Sequence, residues 1–306
     1  MRFAYPPAVA PGDLVAVVAP SSAFAMEEFW RGLAWVRDRY RVRATPGVLA
    51  RNAYLAGDDE RRSRELARAM MDGEVKAILA ARGGYGVTRI LETLPWDAFV
   101  ASPKWIVGFS DITALHLEAA RRGVASIHAP HVTGLGREAT PSTRAAWLAA
   151  LERPTAPSVW RGLSVVHAGW RAGAGTQATR AHVEGPLVGG NLALVEAMAA
   201  AGRLVIPQGA VLVLEDVTER PYRVDRMLTS LRLGGHFARA SAIVLGGFTQ
   251  CEPGPDGRTV EEVLAERTRD LGIPVLAGAP FGHGPRNDAF VLGANARVAG
   301  DEVHIA

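Results

Sequence analysis

Val75-Lys76-Ala77-Ile78-Leu79-Ala80-Ala81-Arg82-Gly83-Gly84-Tyr85-Gly86 is the stretch on which the fold turns. Its first seven residues are almost unbroken in their apolar character, as in a strand covered on both faces of a parallel sheet. The glycine run that stops it suits a backbone that turns sharply or comes close to a ligand. Upstream, Leu14 to Ala19 repeats the apolar run and ends in Pro20-Ser21-Ser22; downstream, Trp105 to Val107 runs into Gly108-Phe109-Ser110-Asp111. Helical signals separate these runs. Phe29, Leu33, Val36 and Tyr40 recur at helical spacing. Asp58 stands as the N-cap of a charged helix that turns Leu66, Ala67, Met70 and Met71 inward and closes at Gly73. A third helix runs through Leu115, Leu117 and Ala120. Strands alternating with helices predict βαβ units on a parallel sheet. Ligands of such sheets sit beyond the carboxyl ends of the strands, where the three least ordinary segments fall.

Farther along, the texture changes. Residues 137–180 crowd prolines and glycines with little sustained periodicity, as expected of a linker or an irregular excursion. From His182 onward strand and helix signals return. A helix follows Gly189-Gly190-Asn191, and a strand from Val211 to Leu214 runs into Glu215-Asp216. The helix around Arg226 to Leu233 stops at Gly234-Gly235, and Ala242 to Leu245 is strand-like. Thr259 with Glu262 three residues on reads as a capping box. Short β-like segments close the chain: Val275 to Leu276, Phe290 to Leu292, Arg297 to Val298 and Glu302 to Ile305. The organisation expected is an N-terminal α/β domain at residues 1–150, a linker or substrate loop at 151–180 and a second domain at 181–306.

Composition narrows the function. The 306 residues are 48% hydrophobic and 21% charged, which places the chain among globular proteins rather than disordered ones. The single cysteine, Cys251, forbids an intramolecular disulfide and a cysteine-built metal cluster, and reads as a small buried hydrophobe. Basic residues are nearly all arginine, scattered among acids, as on a solvated surface and not a nucleic-acid-binding stripe. The N-terminus lacks the apolar core of a secretory signal, and no apolar run is long enough to span a bilayer. A soluble cytoplasmic protein is expected, without nucleic-acid or membrane partners.

Several residues could carry chemistry, each with an ordinary alternative. Gly84-Tyr85-Gly86 lacks the third glycine of a dinucleotide fingerprint, because Arg89 stands there. Ser110, between a strand and a helix, is placed as a nucleophile elbow would place it, or as an N-cap. Ile112 replaces the second glycine of the hydrolase elbow. Glu215 ends an apolar strand and is either a site carboxylate or an arginine partner. His283, between Gly282 and Gly284, is accessible for proton transfer or is an inert surface histidine. His128 and His131 suggest a metal pair, but Pro130 disfavours helical display and no acidic ligand stands near in sequence.

Taken together, these segments resemble the LD-carboxypeptidase family of serine peptidases, which includes the microcin C immunity peptidases. The resemblance is carried in order by Ala19-Pro20-Ser21-Ser22, Arg82-Gly83-Gly84-Tyr85-Gly86 and Gly108-Phe109-Ser110-Asp111-Ile112-Thr113. It continues through Gly185-Pro186-Leu187-Val188-Gly189-Gly190-Asn191-Leu192, Leu214-Glu215-Asp216-Val217, Pro221-Tyr222-Arg223-Val224-Asp225-Arg226-Met227-Leu228 and Gly282-His283-Gly284. It implies an α/β N-terminal domain bearing the nucleophile, a β-rich C-terminal α/β domain bearing a glutamate and a histidine, and an active site at the domain interface. Ser110 is then the nucleophile, His283 the general base and Glu215 the carboxylate that orients it. The oxyanion hole falls to backbone N–H groups of Asp111 and of the Gly83-Gly84 pair, with Gly84 favoured.

Arg82, Tyr85, Arg223 and Arg226 are expected at the substrate, the arginines as partners for a terminal carboxylate. Ala200-Ala201-Gly202-Arg203 stands where the family has a Gly-Thr-Pro-like turn, and residues 158–180 stand where it has a substrate-shaping loop. Trp160 and Trp170 in that loop are candidates for stacking on a planar group. The expectation is a serine carboxypeptidase that needs no metal or cofactor. It would cleave the diaminopimelate–D-Ala amide of murein tetrapeptide in peptidoglycan recycling, and a homodimer is expected. The alternatives are a peptidase detoxifying aminoacyl-nucleotide antibiotics, a catalytically dead two-domain binding protein and a metal-dependent amidohydrolase using His128 and His131.

Overall fold

The apolar runs form the centres of two sheets. The computed structural model describes residues 2–137, 139–168 and 182–306. Its chain divides into two units, residues 2–154 with 288–292 and residues 155–287 with 293–306.

In the first unit the strands are β1 (Leu14–Val18), β2 (Arg41–Arg43), β3 (Val75–Ala80), β4 (Trp105–Gly108), β5 (Ser126–His128) and β12 (Phe290–Leu292), in the order β12-β5-β4-β3-β1-β2. All pairings are parallel except that of β12 with β5. The helices are α1 (Met26–Arg37), α2 (Asp59–Met71), α3 (Trp96–Ala101), α4 (Thr113–Arg121), α5 (Val132–Arg137) and α6 (Pro141–Glu152). Val15, Ile78, Leu79 and Ile106 are almost fully buried, each contributing about 1.5–3 kcal/mol by leaving water. The Asp58 side chain caps α2 by accepting from the Arg61 N–H at 2.7 Å.

Two features differ from the sequence reading. Residues 141–152 are not irregular: Thr140 caps α6 and Pro141 takes its first turn, where a missing N–H costs nothing. Phe290 to Leu292 does not close the second half but returns to edge the first sheet, pairing Phe290 with His128.

The second unit holds β6 (Ser158–Trp160), β7 (Ser164–His167), β8 (Val183–Asn191), β9 (Ala210–Val217), β10 (Ala240–Thr249), β11 (Val275–Ala277), β13 (Asn295–Ala299) and β14 (Glu302–Ile305). Their order is β6-β14-β13-β8-β9-β10-β11-β7. The central four, β8 to β11, are parallel and the flanking strands antiparallel. Helices α7 (Leu192–Ala200), α8 (Pro221–Leu233) and α9 (Val260–Thr268) complete it. The Thr259–Glu262 capping box forms on α9 with both reciprocal bonds. The protein is therefore mixed α/β with two sheets, the second richer in strands, as the sequence implies. No helix among the described residues is long and apolar enough to cross a membrane.

Candidate active site

Ser110 follows the end of β4 with φ +60, in the left-handed region, a placement that costs an L-residue about 1–2 kcal/mol. Capping does not account for it. Phe109 is the N-cap of the short 3-10 turn at Ser110–Ile112, and Ile112 is the N-cap of α4. The strained turn presents a half-buried hydroxyl at a strand–helix junction, as a nucleophile elbow does.

The glycine run after β3 packs against this turn. A Cβ on Gly83 would lie 2.9 Å from both Ser110 Cβ and His131 Cε1, so only glycine admits the approach. Gly84 has φ +101. Among the described residues the N–H groups of Gly84 and Asp111 have no hydrogen-bond partner, which leaves both available to a developing oxyanion.

Three strand ends are tied together here. Ser22 N–H donates to Gly83 O at 3.2 Å, and Tyr85 N–H donates to Ser22 Oγ at 3.1 Å. The buried Asp111 carboxylate accepts from Ser21 Oγ at 2.7 Å and from Val87 N–H at 2.9 Å. Burial raises its pKa, opposed by those bonds and by Arg62. His116 Nε2 bonds Gly108 O at 2.9 Å and its Nδ1 meets Ser126 Oγ, while burial pushes the imidazole down to about 4, leaving it neutral. His131 Nε2 bonds Phe109 O at 2.8 Å, and its ring stacks on Phe109.

In the second unit β9 delivers Glu215, which is fully buried, and the loop after β11 delivers His283. Glu215 Oε2 accepts from His283 Nδ1 at 2.7 Å, which fixes the ring and leaves Nε2 as the proton-accepting nitrogen. Gly282 makes the pairing possible. With φ +115, a Cβ there would lie 2.9 Å from Glu215 Oε2. Its N–H donates to Asn287 Oδ1 at 3.2 Å.

Sequence reading missed the polar shell behind Glu215. Asn191 caps α7 and turns its amide to Asp216 Oδ1 at 3.0 Å and Glu215 Oε1 at 3.4 Å. Burial, aided by the Glu215 charge, pushes the Asp216 carboxyl up to about 6. The signal was present in the Gly189-Gly190-Asn191 cap position, but the partner is 25 residues away.

The remaining expectations are placed as follows. Arg82 and Tyr85 are exposed on the glycine loop, Arg82 donating to Ala23 O at 2.6 Å and Tyr85 lying near Tyr54. Arg223 and Arg226 are exposed on α8; Arg223 pairs with Glu219, and Arg226 lies over the Tyr222 ring. Trp160 is buried on β6 against Phe281, so it is unavailable to stack on a ligand. Trp170 lies outside the described residues. His128 is buried on β5, stacked against Phe290. Among the described residues no group of three or more His, Cys, Asp or Glu is arranged to hold a metal. Burial pushes the Cys251 thiol up to about 11. A cavity of about 680 Å³ between β1 and α2, lined by residues including Val17, Arg43, Arg61, Arg68 and Met71, contains none of the candidate residues.

A strained serine beside unpaired N–H groups, and a histidine held by a buried glutamate, are the parts of nucleophilic acyl transfer. Residues 15–129 match the LD-carboxypeptidase N-terminal domain and residues 184–298 its C-terminal domain. The chain belongs to the LD-carboxypeptidase family. Within it, this LD-carboxypeptidase is 35% identical over 299 residues to the murein tetrapeptide carboxypeptidase of Pseudomonas aeruginosa, covering 94% of each chain. A putative carboxypeptidase of Synechocystis is 37% identical over 312 residues, covering 98% of this chain and 96% of that one. The crystal structure of a muramoyltetrapeptide carboxypeptidase from Oxalobacter formigenes superposes with a TM-score of 0.82 at 28% identity, covering 95% and 97% of the two chains. Membership makes the protein a hydrolase of the serine carboxypeptidase class.

Proposed function

We propose that this LD-carboxypeptidase hydrolyses the amide joining an L-centre to a terminal D-amino acid, as in the diaminopimelate–D-Ala bond of murein tetrapeptide. The observation that carries the reading is Ser110 in its strained left-handed elbow against Gly83. In the proposed reaction Ser110 Oγ attacks the amide carbonyl carbon and passes its proton to His283 Nε2. The Gly84 and Asp111 N–H groups receive the oxyanion, each such donor being worth about 10²–10³ in rate. Collapse breaks the C–N bond, and His283 returns the proton to the departing amine. Water, activated by the same histidine, then releases the shortened peptide from Ser110. Glu215 holds the imidazole through Nδ1 throughout.

Arg82 and Tyr85, on the loop that carries Gly83 and Gly84, are the substrate contacts best supported by position, whereas Arg223 is already paired with Glu219. The proposed setting is cytoplasmic peptidoglycan recycling by a homodimer. Relatives include the microcin C7 self-immunity protein of Escherichia coli, 26% identical over 290 residues. Buried Trp160 gives an aminoacyl-nucleotide substrate no support. Release of free D-Ala from L-Ala–D-Glu–diaminopimelate–D-Ala tests the reading. Turnover of an aminoacyl sulfamoyl adenylate without D-Ala release would replace it.

A further inference from the structure

A buried guanidinium and a buried carboxyl group bracket the loops beside Ser110. Arg62, on α2, is fully buried; its guanidinium donates to Pro20 O and, at 2.8 Å, to Gly86 O, and it pairs with Asp59. Asp111 accepts from Ser21 Oγ and Val87 N–H. The same two pairs of consecutive residues, Pro20-Ser21 and Gly86-Val87, are thus gripped twice. A cation holds the carbonyls of the first members, and one carboxyl oxygen accepts from the donors of the second. Among the described residues no ion pair joins Arg62 to Asp111 directly. Gly86 has φ +135, and a Cβ on it would lie 2.6 Å from an Arg62 guanidinium nitrogen, so this glycine is the seat of the cation.

Stability alone is a poor account of such an arrangement. Buried charges are costly to desolvate, and well-packed apolar replacements are often no worse. What the charges do fix is the glycine loop between the gripped residues and the Ser110 elbow. Gly83 and Gly84 lie between β3 and Gly86, and Asp111 is the residue next to Ser110. We infer that Arg62 and Asp111 are positioning residues for the reaction at Ser110, holding the Gly84 and Asp111 N–H groups where the oxyanion forms. The inference rests on the proposed function and deepens it.

The test compares Asp111→Asn, Arg62→Met and Ser21→Ala with the wild-type protein. Three readouts are taken: kcat and KM on the D-Ala-terminated peptide, the rate of Ser110 labelling by a fluorophosphonate, and the thermal midpoint. Misplacing a donor lowers kcat by about 10²-fold in Asp111→Asn and Arg62→Met with KM changed by less than about threefold, and labelling slows in parallel. Ser21→Ala deletes one hydroxyl and is expected to fold, with kcat lowered by about tenfold. Folded Asp111→Asn or Ser21→Ala protein with wild-type kcat and labelling overturns the inference, and Ser21→Ala decides alone if the charge variants do not fold. Wild-type protein that releases no D-Ala and is not labelled at Ser110 would instead bring down the functional reading, and the inference with it.

Discussion

Replacing Gly282 by alanine probes the His283–Glu215 pair without touching either side chain. Two costs follow from the geometry. At φ +115 an L-residue is strained, by about 1–3 kcal/mol. The new methyl would also lie 2.9 Å from Glu215 Oε2, the oxygen that accepts from His283 Nδ1 at 2.7 Å, and 3.1 Å from Glu215 Cβ. Glu215 is fully buried and has nowhere to retreat without stretching that bond. A displacement near 1 Å in a catalytic group costs about 10²-fold in rate, and losing the orienting carboxylate altogether costs about 10⁴-fold. The expected result is a kcat lowered by about 10²–10⁴-fold in protein that still folds, with the midpoint of urea unfolding reduced. The assay is D-Ala release under saturating peptide, with unfolding followed by circular dichroism on the same preparation. A folded Gly282→Ala protein within threefold of wild-type kcat would refute the assignment of His283 and Glu215 as a working pair.

Other predictions concern the same two clusters. Gly83→Ala places a methyl 2.9 Å from Ser110 Cβ at a position without left-handed strain, so kcat falls by about 10²-fold while stability falls less; unchanged turnover would contradict the packing described. Asp216, held near 6 against an ordinary 3.8, binds its proton more tightly folded than unfolded, so its contribution to stability falls by about 3 kcal/mol as pH rises from 4 to 6. Wild-type stability relative to Asp216→Asn therefore falls by about 3 kcal/mol between pH 4 and pH 7, and a pH-independent difference in urea unfolding would contradict this. His116 runs the other way: with its pKa near 4 against 6.5, the unfolded chain takes the proton first, and about 3 kcal/mol is lost as pH falls from 6.5 to 4. A His116→Gln variant lacks that loss, so its stability gap to wild type shrinks on acidification.

What was legible in the sequence is what local chemistry determines. The β1, β3 and β4 runs announce themselves by nearly unbroken apolar character, and the Asp58 and Thr259 positions by cap chemistry. Ser110 was ambiguous because a serine before a helix is as apt to cap it as to stand strained beside it; only the left-handed φ and the cap at Ile112 separate the two. The Thr140-Pro141 start of α6 was readable in principle, but the surrounding prolines and glycines masked it. The return of Phe290–Leu292 to β5, the Asn191–Asp216 bond and the grip of Arg62 on Pro20 and Gly86 had no local signature. Each joins residues tens of positions apart, and composition carries no record of such closures.

The central claim, that Ser110 attacks an amide ending in a D-amino acid, is tested most directly by one assay. Free D-Ala is measured after incubating L-Ala–D-Glu–diaminopimelate–D-Ala with purified wild-type protein and with Ser110→Ala, both in EDTA. The account predicts steady release by wild type and none above background by a folded Ser110→Ala protein. Release by the serine variant at the wild-type rate, or no release by folded wild type, would contradict it.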